Sequence, residues 1–125
     1  MPPVEVKLFR RADGTVLVDE WLEKQEPKVR YKCIGAIERL GQMGYELCII
    51  PGREAASLGH GLYELRVRYG SVNYRILFFF HGREVVVLTH GFTKERQVPP
   101  KQIRLAMRMK AEYEVDPESH SAPLD

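Results

Sequence analysis

Hydrophobic and polar positions along the chain change period several times, and each change marks an element. Val4, Val6 and Leu8 alternate with Glu5 and Lys7, the mark of a half-buried strand, and Ala12-Asp13-Gly14 supplies turn chemistry after it. Val18, Trp21 and Leu22 then form a short amphipathic helix ending near Gln25, with Pro27 dividing it from the next. In that next helix Val29, Cys33, Ala36, Ile37 and Leu40 recur at three- and four-residue steps, while Arg30, Lys32, Glu38 and Arg39 fall off the stripe. Gly41 and Gly44 mark its decay. Residues 44–61 contain Pro51 and four glycines without a clear period, which predicts a long loop with at most one turn of order. Residues 62–69 alternate strictly, with Tyr63, Leu65, Val67 and Tyr69 on one face and Glu64, Arg66 and Arg68 on the other. Residues 73–81 and 84–90 are β-rich and apolar at both parities, as in strands covered on both sides. After Val98-Pro99-Pro100, Ile103, Ala106 and Met107 share one face of a closing helix that ends near Tyr113. The expected architecture is one α+β domain, with two N-terminal helices packed on a mainly antiparallel sheet and a C-terminal helix.

Composition narrows this little. With 125 residues, 44% hydrophobic and 29% charged, the chain fits one globular core over residues 1–113. Residues 114–125, VDPESHSAPLD preceded by Glu114, carry two prolines and little apolar content, and predict an acidic, disordered tail. The net charge of +2 hides an asymmetry, because residues 111–125 hold five acids and no Lys or Arg, leaving +7 on the rest. A basic body suits a polyanion partner but does not require one. No apolar run reaches the ~18 residues a membrane span needs, and the N-terminus lacks a secretory apolar region. Cys33 and Cys48 have neither C-x-x-C spacing nor a neighbouring His pair, which argues against structural zinc and fits a reducing cytoplasm.

Register sharpens the chemistry. A two-residue turn at Gly82-Arg83 would set His81 against Glu84, Arg75 against His90, Leu77 against Leu88 and Phe78 against Val87. A four-residue loop from Gly70 to Asn73 would set Tyr69 against Tyr74, Val67 against Ile76 and Leu65 against Phe78, whereas a one-residue slip would scramble both faces. With these pairings Arg68, Arg75 and His90 form one row across three strands. Adjacent arginines repel unless an anion lies between them, and Arg66, Lys94 and Arg96 lie close by in sequence, so a phosphodiester is the natural occupant.

These segments also resemble a family. Glu20-Trp21-Leu22, Gly61-Leu62-Tyr63-Glu64-Leu65-Arg66, Asn73-Tyr74-Arg75-Ile76-Leu77 and Leu88-Thr89-His90-Gly91-Phe92-Thr93-Lys94 are similar, in that order, to the RelE/HigB toxins of bacterial toxin–antitoxin systems, nearest the phage-derived HigB-like branch. Pro99, Pro100, Ile103, Ala106, Arg108 and Tyr113 continue the pattern, which covers residues 4–113. The resemblance implies a small α+β domain whose second sheet face holds the site. It implies metal-independent, cofactor-free cleavage of mRNA on the ribosome, silencing by a cognate helix-turn-helix antitoxin of the HigA type, and no membrane partner. It places Arg75 on the scissile phosphate, Arg66 at a second basic strand position, and Lys94 and Arg96 among further cations. RelE's two strand lysines are absent, with Glu64 where one would align, and its C-terminal tyrosine has no counterpart at residues 98–102. HigB-like enzymes rely more on histidine, which points to His90.

Metal-free RNA cleavage needs a base for the 2′-hydroxyl, cations for the dianionic transition state and an acid for the 5′-oxygen. The corresponding assignment gives Arg75 and Arg68 to the phosphate, His90 to proton transfer and Glu64 as a second proton-transfer group, with Tyr63 in the core by parity. The plainer alternatives are a solvated arginine face and a structural His90. Trp21 and the Phe78-Phe79-Phe80 run read as core, His60 and His81 as turn residues, and His120 as part of the tail. Two other functions stay open: a ParE-like toxin acting on DNA gyrase, and a phage-derived binding module without activity.

Overall fold

The computed structural model describes residues 3–51, 54–93 and 96–124. Among them the order is β1 (Glu5–Phe9), α1 (Leu17–Glu23), α2 (Pro27–Met43), a 3₁₀ turn (Gly44–Cys48), β2 (Ala55–Gly59), β3 (Leu62–Tyr69), β4 (Val72–His81), β5 (Val85–Thr93), α3 (Pro100–Val115) and β6 (Ser121–Pro123). The strands form one sheet in the order β2-β3-β4-β5-β1-β6, antiparallel except for β1 beside β5. This is the mixed α+β class that the periodicity predicts.

Each sheet face has its own core. On one, the α2 stripe of Val29, Cys33, Ala36, Ile37 and Leu40 joins Val18 and Leu22 of α1 over Leu65, Val67, Ile76, Phe78, Val86 and Leu88. On the other, Ala106, Met109 and Tyr113 of α3 cover Phe9, Leu62, Leu77, Phe79 and Val87. Met107, expected on the buried side, is 40% exposed, because the contact face of α3 steps through Ala106 and Met109 instead. Arg30, off the α2 stripe, closes the end of α1: its guanidinium donates to the carbonyls of Leu22, Glu23 and Gln25 at 3.0, 3.2 and 3.0 Å. The Leu22 carbonyl also accepts from the Gln25 N–H at 3.1 Å, while Pro27, having no N–H, cannot donate to Glu23, so Arg30 reinforces the helix end.

Glu20-Trp21-Leu22 and His90-Gly91-Phe92 are linked by packing. A Cβ placed on Gly91 would lie 2.3 Å from Trp21 Cε3 and 2.5 Å from Cδ2, so the indole rests directly on the β5 backbone. Only glycine permits that approach. The charges of α3, in contrast, oppose its dipole. No acid lies in the first turn and no base in the last, while Lys101 sits near the start and Glu112 and Glu114 at the end. Each charge so placed costs roughly 0.3–1 kcal/mol.

Three expectations need correction. Residues 55–59, read as loop, are the edge strand β2, hidden in the sequence because Ala-Ala-Ser-Leu-Gly lacks the β-branched and aromatic types that announce strands. The predicted disordered tail returns to the sheet as β6, with Leu8 opposite Ala122 and Phe9 opposite Ser121. His120 stacks on Phe9 with ring centroids 5.1 Å apart, and its Nδ1 donates to the Arg10 carbonyl at 2.8 Å. Pro123 is tolerated because β6 is an edge strand. Both hairpin registers also differ from expectation. The β3–β4 loop is Gly70-Ser71, with Gly70 at φ 62°, and sets Tyr69 opposite Val72. The β4–β5 turn spans Gly82, Arg83 and Glu84, and Thr89 then bulges out between the Phe78–Leu88 and Leu77–His90 pairs.

Candidate functional site

The sheet face under α3 divides in two. Where α3 lies, the face is apolar. Beyond its first turn the face carries Glu64, Arg66 and Arg68 of β3 and Arg75 of β4. The expected row of Arg68, Arg75 and His90 does not form. Arg66 stands directly opposite Arg75, Arg68 opposite Asn73, and Phe92 takes the place across from Arg75. His90 lies opposite Leu77, one position further along. All these side chains nevertheless share the expected face, because each register moved by two residues and a pleat repeats every two.

Glu64 is the counter-ion of the cluster. Its Oε1 lies 3.1 Å from Arg75 Nε and its Oε2 3.5 Å from Arg66 Nη2, with the carboxylate side chain only 9% exposed. Neither Glu64 Oε1 nor Arg75 Nε has a hydrogen bond of good geometry, so their contact is Coulombic rather than a directed bond. Arg75 is 13% exposed and Arg66 44%, which leaves one guanidinium sunk at the floor and one at the mouth. Arg68 is exposed and donates from Nε to the Gly70 carbonyl at 3.3 Å. Two guanidinium groups thus contact one carboxylate, and Arg68 adds a third cation to the same face. The excess of positive charge on one face is what an incoming phosphodiester would neutralise.

His90 is on this face but covered. It is 5% exposed, with Nε2 2.8 Å from Oε1 of Gln102 in the first turn of α3 and Nδ1 3.1 Å from Thr89 Oγ1. Thr89 Oγ1 also donates to the Leu77 carbonyl at 3.1 Å, at the bulge where the strand ladder is interrupted. In this conformation His90 pins α3 to β5 rather than facing solvent. Phe92, with its ring centroid 5.6 Å from that of His90, closes the side toward Arg75. Arg96 is exposed in the segment before α3, and Lys94 lies outside the described residues. Sequence reasoning missed Gln102, Thr89 and Asn73. Gln102 was legible as a first-turn residue of the closing helix, but its partner across the fold was not.

The other candidates stay structural. Tyr63 stacks on Phe78 on the opposite face, with centroids 5.5 Å apart. His60 sits in the β2–β3 turn, and His81 ends β4 against the Tyr113 ring. Burial pushes the Cys33 thiol up to about 11, so it is not a nucleophile. Among the described residues no group of three His, Cys, Asp or Glu could share a metal ion, and no helix is long and apolar enough to cross a membrane.

Burial lowers the His90 pKa from its ordinary value, opposed in part by the hydrogen bond to Gln102. The unfolded chain therefore takes up this proton first as pH falls. Stability from the neutral ring is complete above about pH 6.5 and declines below it, toward the lower folded pKa, by at most ~1.4 kcal/mol per pH unit. Urea unfolding at pH 7.5 and 5.5 should show this loss in the native chain and not in His90→Gln. Equal acid sensitivity in the two would overturn the assignment.

The described residues form a three-helix α+β domain with Arg66, Arg68, Arg75 and Glu64 clustered on one face of its sheet. The chain belongs to the Gp49-like family of phage-derived proteins (DUF891), whose sequence profile matches residues 20–111. That family is associated with RelE-like and toxin-like proteins, so a toxin-like role is compatible with membership. No curated protein matches the chain as a relative.

Proposed function

We propose that this protein is the toxin of a type II toxin–antitoxin pair and a metal-independent endoribonuclease that cuts mRNA on the ribosome. The observation that carries this reading is the cross-strand placement of Arg66 against Arg75 around the Glu64 carboxylate, with Arg68 on the same face. Directly opposed side chains in a sheet have Cβ atoms about 4.5–5.5 Å apart, so two guanidinium groups there favour a shared anion. A scissile phosphate fits between them, and its transition state carries one more negative charge than its ground state.

In this scheme Arg75 and Arg66 hold the phosphate and Arg68 the next one along the strand. Glu64 keeps Arg75 at the floor of the site and is the carboxylate placed to accept the 2′-hydroxyl proton. The oxygen so freed attacks phosphorus and forms the cyclic phosphate, while the departing 5′-oxygen takes its proton from water. His90 supports the site by fixing α3; it would reach substrate only if Gln102 released it. Lys94 and Arg96 are proposed to extend the track toward the ribosome. The partners on this reading are the ribosome, mRNA and a HigA-like antitoxin carrying a helix-turn-helix.

Induced expression followed by mapping of message 5′ ends tests the proposal. The expected result is growth arrest with new ends inside translated codons, absent when initiation is blocked. Arrest with intact messages and gyrase-linked DNA breaks would favour the ParE-like alternative. Normal growth with intact messages would favour an inactive binding module.

A further inference from the structure

We propose that the outer face of α3 is a second polyanion surface, separate from the strand arginines, which binds the backbone of double-stranded RNA. Lys101, Arg104 and Arg108 follow each other at three- and four-residue steps and so lie on one side of the helix. Ala106, Met109 and Tyr113 occupy the buried side, which turns those three outward, and all three are exposed. Among the described residues none of the three is tied by an ion pair or a side-chain hydrogen bond, whereas Lys110 is engaged by Glu114 at 3.1 Å.

The order of charge along α3 is the second observation. Lys101 and Arg104 stand in its N-terminal half, with no acid in the first turn, and Glu112 and Glu114 stand in its last turn, the reverse of what stabilises a helix. No ion pair or side-chain hydrogen bond among the described residues demands this arrangement. A bound polyanion does explain it. The stripe begins where the sheet site ends, because Gln102 hydrogen-bonds His90 and holds the first turn of α3 beside Phe92 and the arginine face. From Lys101 to Arg108 the helix rises about 10 Å, room for two or three successive phosphates of one strand.

A nucleic acid fits better than an acidic protein segment. A docked amphipathic peptide would need an apolar seam, and among the described residues Met107 is the one exposed large apolar side chain between these cations. A rigid, straight row of cations suits the fixed phosphate array of an A-form duplex, which proteins read by shape and backbone. This inference does not depend on cleavage. A chain that binds duplex RNA through α3 yet cuts no message would keep it and remove the nuclease reading.

The test is fluorescence-anisotropy titration of an RNA duplex of about 16 base pairs with the full chain over a range of salt concentrations. Replacing Lys101, Arg104 and Arg108 together by glutamine should weaken binding at least tenfold near physiological salt. It should also lower the slope of log K against log salt by about 2–3. Lys28→Gln, an exposed cation on α2 across the sheet, should leave that slope nearly unchanged. The thermal midpoint of the triple variant should equal or exceed that of the native chain, which separates lost binding from lost folding. An unchanged slope in a folded triple variant would overturn the proposal. So would a polyglutamate peptide that binds native α3 more tightly than the duplex does, which would assign the stripe to an acidic protein partner.

Discussion

On the proposed endoribonuclease reading, Arg75→Ala is expected to slow cleavage of ribosome-bound message by about 10²–10³-fold, the usual effect of removing one preorganised donor to a developing oxyanion. Arg75 sits at the floor of the arginine cluster, 13% exposed, where water screens its charge poorly. The loss should appear in the single-turnover rate at saturating ribosomes, since the interaction strengthens as negative charge grows on the phosphate. The substitution also strands Glu64, whose remaining cation is Arg66 Nη2 at 3.5 Å. Some loss of stability follows from an uncompensated buried carboxylate, so urea unfolding must accompany the assay. Arg75→Lys provides the second reading: it keeps the charge, loses the planar fork and should fall between the two. Cleavage by Arg75→Ala within a few-fold of the native rate would remove the central element of the site.

Gly91→Ala should have the largest effect on stability. The added methyl would enter space held by the Trp21 indole at 2.3–2.7 Å, closer than any Cβ contact tolerates. The indole belongs to a packed helix and Gly91 to an inner strand of the sheet, so neither can give way without disturbing a core. Overpacking of this kind costs typically 1–3 kcal/mol and sometimes more. Urea denaturation should place the loss at or above the upper end of that range. Trp21→Leu in the same chain should recover part of it, a coupling that a double-mutant cycle reads directly. Additive losses would mean that Gly91 is required for some reason other than the indole.

The periodic parts of the fold were legible. The α2 stripe, the alternation of β3 and the division of faces all follow from spacing, and they place Glu64, Arg66, Arg68 and Arg75 together. Partners were harder than faces. The β3–β4 loop is two residues shorter than expected, which hands the place beside Arg75 from Arg68 to Arg66. In the β4–β5 hairpin a three-residue turn and the Thr89 bulge each add one residue, and two odd slips restore parity. The burial of His90 could not be read at all, because it depends on Gln102 arriving from a helix twelve residues away. β6 was hidden by Pro123 and β2 by its small residues. Both are edge strands, where composition constrains pairing least. Lys94 falls outside the described residues and its place in the expected cation track is unassigned.

The position of β1 has a kinetic consequence. Among the described strands it comes first in the chain, yet its neighbours in the sheet are β5 and β6. The β2-to-β5 meander can assemble through short hairpins, while β1 must wait, with its apolar Leu8 and Phe9, until most of the polypeptide has emerged. Closing so long a loop is slow. The nascent chain therefore exposes a sticky edge until β5 and β6 have been made, and that interval is when chaperones or a partner protein would meet it.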